Sequence, residues 1–154
     1  MHAMTQDNLR SAFGGESQAH VRYGIWAKAA GKEGFPNVER LFNCTAEAER
    51  VHGNLHFKAM KDIHGDFAVT SMAGFGIGTT SENLQKGIDG ETFEFTEMYP
   101  AFIEVAKMQG EDDAVKAMRF AIEAEKIHAV RYEEAKKAVD AGKDLDAKDI
   151  LLCP

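Results

Sequence analysis

Two short segments of this 154-residue chain repeat one another, and both contain the pattern Glu-x-x-His. Residues 47–52 read EAERVH and residues 123–128 read EAEKIH, so the blocks are offset by 76 positions and keep their charge or apolar character where they differ. Because residues i and i+3 lie on one face of a helix, each block presents a carboxylate beside an imidazole. The repeat predicts two equivalent helical halves that meet at a polar centre.

Each half also carries a glutamate upstream of its Glu-x-x-His block. Glu16 lies 33 residues before Glu49, and Glu91 lies 34 residues before Glu125. If each half is a helical hairpin, its first helix supplies one Glu and its second helix supplies one Glu-x-x-His at matching depth.

Four long segments have helical periodicity and are separated by Gly and Pro residues. They run approximately over Thr5–Ala30, Pro36–His64, Thr80–Gln109 and Asp112–Asp140. Short connections predict that the first and second helices, and the third and fourth, form antiparallel hairpins. Between the hairpins lies the segment 65–79, whose residues can span roughly 50 Å, more than the roughly 40 Å of a 26-residue helix.

This long connection can cross the bundle from end to end and place the second and third helices parallel. The predicted fold class is therefore all-α, a ferritin-like four-helix bundle of two antiparallel hairpins joined by a long crossover. A simple up-and-down bundle with an oversized loop is the alternative. We assign residues 1–142 to the bundle and residues 143–154 to a C-terminal tail.

The repeated residues have the chemistry of a two-metal site. Four inward-facing carboxylates and two imidazoles can bridge and terminally ligate two metal ions, as in di-iron and di-manganese carboxylate bundles. Such a donor set favours Fe or Mn over a structural zinc, which prefers a closed tetrahedral shell. In the alternative interpretation the acidic residues decorate a solvated face, because a single Glu-x-x-His pair is a weak signal.

A fifth carboxylate breaks the symmetry between the halves. Glu94 lies three residues after Glu91 on the same helix face, whereas the matching position after Glu16 is Ala19. We expect Glu94 to join the site and Glu97 to face solvent.

Gly15 and Gly90 directly precede the two upstream glutamates. A glycine inside a helix costs about 1 kcal/mol relative to alanine, which indicates a close-packing or functional reason for its presence. Alternatively, these glycines mark only weak positions in the helices.

Composition and charge exclude several classes of protein. The formal net charge of −7 argues against binding to nucleic acid or to anionic membrane surfaces. No apolar run is long enough for a membrane span, and the N-terminus lacks the features of a signal peptide, so we expect a cytoplasmic protein. Two cysteines, Cys44 and Cys153, are too few for a disulfide framework.

From about residue 5 to residue 140 the sequence resembles the rubrerythrin family. The segments that carry the resemblance are Gly15–Tyr23, Glu49-x-x-His52, Gly90–Glu94 with Met98–Pro100, and Glu125-x-x-His128. The resemblance implies a non-haem di-iron site in a ferritin-like bundle. It also implies NAD(P)H-linked reduction of hydrogen peroxide, with electrons arriving through a rubredoxin-type or other donor protein.

Transferred by motif, the resemblance implies a role for each candidate ligand. Glu49 and Glu125 would bridge the two irons, while Glu16 and Glu91 would be terminal carboxylates. His52 would bind one iron.

The family's other iron exchanges a carboxylate for a histidine as the site is reduced, which here would involve Glu94 and His128. Tyr23 and Tyr99 would donate hydrogen bonds to ligand carboxylates and assist catalysis by orienting them or delivering protons. Two core tyrosines with satisfied hydroxyls are the alternative.

The C-terminus departs from the family pattern. Residues 151–154, LLCP, resemble the beginning of a rubredoxin knuckle, but only the first of its four cysteines is present. We interpret the tail as the start of a truncated rubredoxin-like segment. A stray thiol in a natural short form is the alternative.

Three functions compete at this stage. The leading hypothesis is a di-iron peroxidase, expected as a homodimer, with manganese or a mixed Fe/Zn pair also possible. The alternatives are ferritin-like iron oxidation and storage, and a purely structural bundle.

Overall fold

The protein is described by a computed structural model, which covers residues 1–150. Five α-helices form, and a π-helical turn at Glu94–Met98 joins the third to the fourth. The helices are α1 (Ala3–Glu33), α2 (Pro36–Ala59), α3 (Thr80–Phe93), α4 (Tyr99–Met108) and α5 (Asp112–Asp140). Residues 1–150 contain no strand, and none of their helices is long and apolar enough to cross a membrane.

Local sequence explains where the helices begin and end. α1 stops at Gly34, whose φ of 92° is left-handed and therefore favours glycine. Pro36 is the first residue of α2, where its missing N–H removes no helical hydrogen bond. Thr79 caps α3 in a capping box, because its hydroxyl accepts from the N–H of Glu82 while the Glu82 carboxylate accepts from the N–H of Thr79.

The second helix is shorter than its sequence pattern predicts. We expected it to reach His64, but α2 ends at Ala59. The N–H of Met60 bonds to the carbonyl of Phe57 at 3.1 Å, an i to i+3 contact that tightens the last turn. Met60 thereby turns inward and joins the apolar core.

Contacts between the helix ends fix the topology. At one end of the bundle the Thr5 hydroxyl donates to the Gln109 side chain at 2.6 Å, and at the other the N–H of Thr80 donates to Glu33 at 2.9 Å. α1 therefore runs antiparallel to the unit formed by α3 and α4. Because α2 is antiparallel to α1, α2 and α3 are parallel, and the predicted ferritin-like connectivity is confirmed.

The crossover, residues 60–79, runs along the outside of α1. The Trp26 indole N–H donates to the carbonyl of Gly76 at 3.0 Å, and the Arg10 guanidinium lies 4.4 Å from the centre of the Phe67 ring. At Gly14 a Cβ atom would overlap the Val69 side chain, so the crossover can approach α1 this closely only over glycine.

The π-helical turn interrupts the third helical segment, which the sequence pattern predicted as one helix over Thr80–Gln109. Pro100 has no N–H to donate to the carbonyl of Thr96, from which the sequence predicts a local kink, and that stays a prediction. Just before Pro100, the N–H of Tyr99 reaches back five residues to the carbonyl of Glu94, which widens the helix by one residue. This turn begins at one of the candidate ligands.

Apolar side chains form two separate clusters, one toward each end of the bundle. The first includes the ring contacts among Tyr23, Trp26, Phe42 and Tyr132, and the second includes Leu9, Tyr99 and Met118. The middle of the bundle is left to buried polar side chains.

Residues 143–150 pack against the start of α2. The Asn37 amide side chain donates to the carbonyl of Leu145 at 2.8 Å, and its backbone N–H donates to Asp144 at 2.8 Å. The proposed division into a bundle and a tail stays a prediction. The interpretation of Cys153 falls outside the described residues.

Candidate metal centre

Six of the seven predicted ligands meet between the two apolar clusters. Five are almost completely buried, with 1% exposure or less, and they are Glu16, Glu49, His52, Glu91 and Glu125. The side chain of the sixth, His128, is 14% exposed. The i, i+3 spacing on α2 and α5 aims each Glu and His inward together, while α1 and α3 each add one glutamate.

These six side chains form two overlapping groups of four. In each group, one ligand atom per residue lies within 4.8 Å of all the others. One group is Glu16, Glu49, His52 and Glu125, and the other is Glu49, Glu91, Glu125 and His128. Each group therefore has one terminal carboxylate and one imidazole of its own, and the groups share Glu49 and Glu125.

The shared carboxylates each turn one oxygen toward each histidine. Glu49 places Oε2 at 3.0 Å from His52 Nδ1 and Oε1 at 3.4 Å from His128 Nδ1. Glu125 places Oε1 at 2.8 Å from His52 Nδ1 and Oε2 at 2.7 Å from His128 Nδ1. A carboxylate that faces two such positions at once has the disposition needed to bridge two ions.

Unpaired oxygens indicate that the cluster fits a cation. One oxygen on each of the four carboxylates is buried and makes no well-aligned hydrogen bond within residues 1–150, although three of these oxygens lie within 3.4 Å of a histidine Nδ1. These atoms are Oε2 of Glu16, Oε1 of Glu49, Oε2 of Glu91 and Oε1 of Glu125. Buried polar atoms are normally hydrogen-bonded, so four convergent carboxylate oxygens beside two imidazoles fit a site for hard cations that take oxygen and nitrogen ligands.

The pKa shifts of the clustered carboxyl groups also favour cation binding. Burial and the neighbouring carboxylates raise the pKa of Glu16 and the pKa of Glu125 well above their usual range. Burial also opposes ionisation of Glu49, but the His128 and His52 imidazoles outweigh it and hold the pKa of Glu49 below its usual value. Without a metal the cluster thus retains protons, and divalent cations would neutralise it instead.

Tyr23 and Tyr99 cross-link the two halves. The Tyr23 hydroxyl, on α1, donates to Glu91 Oε1 at 2.5 Å on α3. The Tyr99 hydroxyl, on α4, donates to Glu16 Oε1 on α1. Each tyrosine thus restrains the upstream glutamate of the opposite hairpin rather than that of its own.

We expect the change Tyr99→Phe to weaken metal binding by about 10- to 100-fold, because it frees Glu16 from its hydrogen bond. Competition titration of the metal with a chelator measures this affinity. Tyr132→Phe is the matched control, since Tyr132 is a buried tyrosine whose hydroxyl has no hydrogen-bond partner within residues 1–150. Equal affinities in the two variants would contradict the positioning role of Tyr99.

Glu94, the seventh predicted ligand, lies apart from the two groups of four. It is the first residue of the π-helical turn and is partly buried. Burial, followed by repulsion from Glu125 and Glu91, raises the pKa of Glu94 well above its usual range. Glu97, one turn later, is exposed.

His56 also lies at the site, and the sequence did not distinguish it from a surface histidine. It is fully buried, and its Nε2 lies 2.8 Å from the Tyr99 hydroxyl. Because the Tyr99 proton goes to Glu16, Nε2 of His56 is assigned as the donor. Burial lowers the pKa of His56 to about 3, so it is a neutral donor.

Comparisons with known proteins agree on one family. A family model named Rubrerythrin matches residues 7–136. Rubrerythrin-2 of Clostridium acetobutylicum is 41% identical over 153 residues, covering 99% of this chain and 83% of the relative. Nigerythrin of Nitratidesulfovibrio vulgaris is 36% identical, covering 97% of this chain and 73% of the relative.

Solved structures show the same fold. A nigerythrin structure in a fully reduced, all-ferrous state superposes with a TM-score of 0.82 at 35% identity, covering 92% of this chain and 70% of that one. Symerythrin from Cyanophora paradoxa superposes with a TM-score of 0.76 at 20% identity, covering 90% of this chain and 87% of that one, a likeness of fold alone.

Proposed function

Because the chain belongs to the rubrerythrin family, we propose that it is a non-haem di-iron peroxidase that reduces hydrogen peroxide to water. The cofactor predicted from the sequence, a pair of iron ions, is that of the family. The observation that best supports a two-metal centre is the pair of shared carboxylates, Glu49 and Glu125, each with one oxygen toward each histidine.

In this proposal the four helices supply complementary ligands. Glu49 and Glu125 would be shared by the two ions. Glu16 and His52 would hold one ion, and Glu91 and His128 would hold the other. The burial of these groups excludes water from the carboxylates, which strengthens their interaction with the cations.

The overall reaction consumes hydrogen peroxide, two electrons and two protons and yields two water molecules. Bound ferrous iron supplies the two electrons and the Lewis acidity that O–O cleavage needs. Tyr99 and Tyr23 hold Glu16 and Glu91 in place while the charge at the centre changes. Glu94 would bind iron in one redox state or pass a proton to the leaving oxygen.

Stopped-flow oxidation of the reduced, iron-loaded protein tests the proposal. We expect hydrogen peroxide to oxidise it much faster than dioxygen does, because the proposed centre delivers two electrons to one O–O bond. Comparable rates with the two oxidants would overturn peroxidase function and favour ferritin-like oxidation of iron. Light scattering provides a second criterion, since storage requires a large closed shell and the proposed homodimer does not.

The electron donor is part of the same proposal. Membership of the family supports an oxidoreductase that receives electrons from a separate rubredoxin-type or other donor, ultimately from NAD(P)H. We further propose that the protein works in the cytoplasm. The crossover exposes Phe75 and Ile77, which a second copy of the chain would cover in a homodimer.

A further inference from the structure

A cavity of about 580 Å³ is lined by residues of α1, the crossover, α3, the π-helical turn and α4. Glu94, the candidate ligand that belongs to neither group of four, is part of its wall. The cavity is open to solvent on the side of the crossover, where Met72 is 79% exposed. It therefore connects solvent with the Glu94 side of the proposed centre.

Gly15 and Gly90 both line this cavity. Gly15 is buried and Gly90 is half-buried, yet a Cβ atom added at either position would meet no neighbouring atom within 4 Å. At Gly87, in contrast, a Cβ would lie 2.8 Å from the Tyr132 ring. The two glycines therefore border open space, so of the two reasons expected from the sequence, close packing or function, close packing does not apply.

The position of the glycines places that space next to the candidate ligands. Gly15 directly precedes Glu16 on α1, and Gly90 directly precedes Glu91 on α3. A side chain at either position would therefore project into the cavity, next to Glu16 or Glu91 in the chain. A glycine inside a helix costs about 1 kcal/mol of stability relative to alanine. A cavity that must stay open gives a functional reason for this cost at both positions.

The cavity is larger and more apolar than hydrogen peroxide requires. At about 30 Å³ per water molecule, its volume of about 580 Å³ corresponds to roughly nineteen waters. Phe93, Met98 and Phe102 contribute apolar side chains to its lining. Volume and lining together suit a small peroxide that carries an alkyl or aryl group.

We propose that this cavity admits organic hydroperoxides to the centre, and that Gly15 and Gly90 set the largest group that can pass. The proposal rests on the peroxidase function above and extends its substrate class. In the reaction the O–O bond of ROOH breaks, and two electrons from the reduced iron pair and two protons yield ROH and water. The apolar side chains hold R, and the glycines leave room for the peroxide end to reach the Glu94 side of the cluster.

Gly15→Leu and Gly90→Leu test the size limit. In the reduced, iron-loaded protein we expect each change to slow oxidation by cumene hydroperoxide about tenfold or more relative to oxidation by hydrogen peroxide. Gly24→Leu is the matched control, because Gly24 is also in α1 with open space at its Cβ position but does not line the cavity. Gly15→Ala and Gly90→Ala add one carbon atom each, which the space at both positions accommodates. They replace the leucine variants if those fail to fold.

Binding without turnover gives an independent readout. In the zinc-loaded protein, 2-phenyl-2-propanol, the alcohol formed from cumene hydroperoxide, is expected to shift the amide NMR signals of Gly15 and Gly90. Both leucine variants should lose this binding, and Gly24→Leu should keep it.

The possible failures are distinguishable. If hydrogen peroxide oxidises the native protein but cumene hydroperoxide does not, or if the leucine variants slow both peroxides equally, the inference is wrong and the peroxidase proposal stands. If neither peroxide oxidises the native protein, the peroxidase proposal itself fails, and the inference that rests on it fails as well.

Discussion

Replacement of Glu125 by leucine is expected to remove both metal ions and to abolish rapid oxidation by peroxide. Glu125 belongs to both groups of four candidate ligands, so its loss takes one ligand from each position and leaves Glu49 as the only carboxylate that the two groups share. Leucine keeps most of the side-chain volume but offers no donor atom. Elemental analysis should fall from two ions per chain to fewer than one, and the peroxide rate should fall by at least about 100-fold, the upper end of the effect of changing only an outer hydrogen-bond partner.

Glu123→Leu is the matched control, since Glu123 lies two residues earlier on α5, is exposed and pairs with Lys126 at 2.7 Å. It should retain both ions. Thermal unfolding of the metal-free proteins separates ligand loss from misfolding. Because burial and the neighbouring carboxylates raise the pKa of Glu125, its carboxyl group lowers the stability of the metal-free fold at neutral pH, and metal-free Glu125→Leu should melt no lower than the metal-free native protein. Full metal content in Glu125→Leu would contradict the assignment.

Helical periodicity and the internal repeat predicted most of the fold. The offset repeat required the halves to be equivalent, and the length of the segment 65–79 allowed a crossover. The equivalence of the halves and the crossover both follow from segment lengths and from the 3.6-residue helical period, which can be read from the sequence. The end of α2 was missed because Met60 turns into the core, a tertiary effect without a local signal.

For the candidate site, the sequence predicted contacts within one helix but not the contacts between helices. The i, i+3 spacing brought Glu49 and His52 together because it is a local property of one helix. The hydrogen bond from Tyr23 to Glu91 joins residues on different helices, so spacing along one chain segment could not reveal which glutamate it meets.

The cavity could not be predicted from the sequence either. Gly15 stood out as a costly residue in a helix, but only the packing of the crossover and α3 around it shows open space rather than a close neighbour. For the π-helical turn, the sequence signal is Pro100. It shows that one helical hydrogen bond is missing but not which hydrogen bond forms instead.

The pH dependence of stability is expected to change sign when metal binds. In the metal-free protein, burial first and neighbouring carboxylates second raise the pKa of Glu16, Glu94 and Glu125. A carboxyl group with a raised folded-state pKa binds more protons in the folded chain above about pH 4.5. Its contribution to the free energy of unfolding is therefore lost as the pH rises from that value through the raised pKa.

The histidines modify this trend without reversing it between pH 7 and pH 5. The pKa of His128 is raised by Glu49 and Glu125 despite its burial, so its contribution is likewise lost as the pH rises above about 6.5. His56, with its pKa lowered to about 3, acts in the opposite direction below about pH 6.5, but it is one group against three carboxyls. The lowered pKa of Glu49 matters only below about pH 4.5.

In the metal-loaded protein the same groups must be deprotonated, so protons compete with the ions and stability falls as the pH falls. A free metal concentration 100 to 1,000 times Kd adds about 2.7–4.1 kcal/mol, which for a chain of this size raises Tm by roughly 5–15 °C at pH 7. Acidification from pH 7 to pH 5 should then raise the Tm of the metal-free protein and lower that of the loaded protein. Calorimetry of both forms at the two pH values measures the four transitions. Parallel pH dependence in the two forms would contradict ligation by this buried cluster, because protons that compete with ions bound there must give the loaded protein the opposite slope.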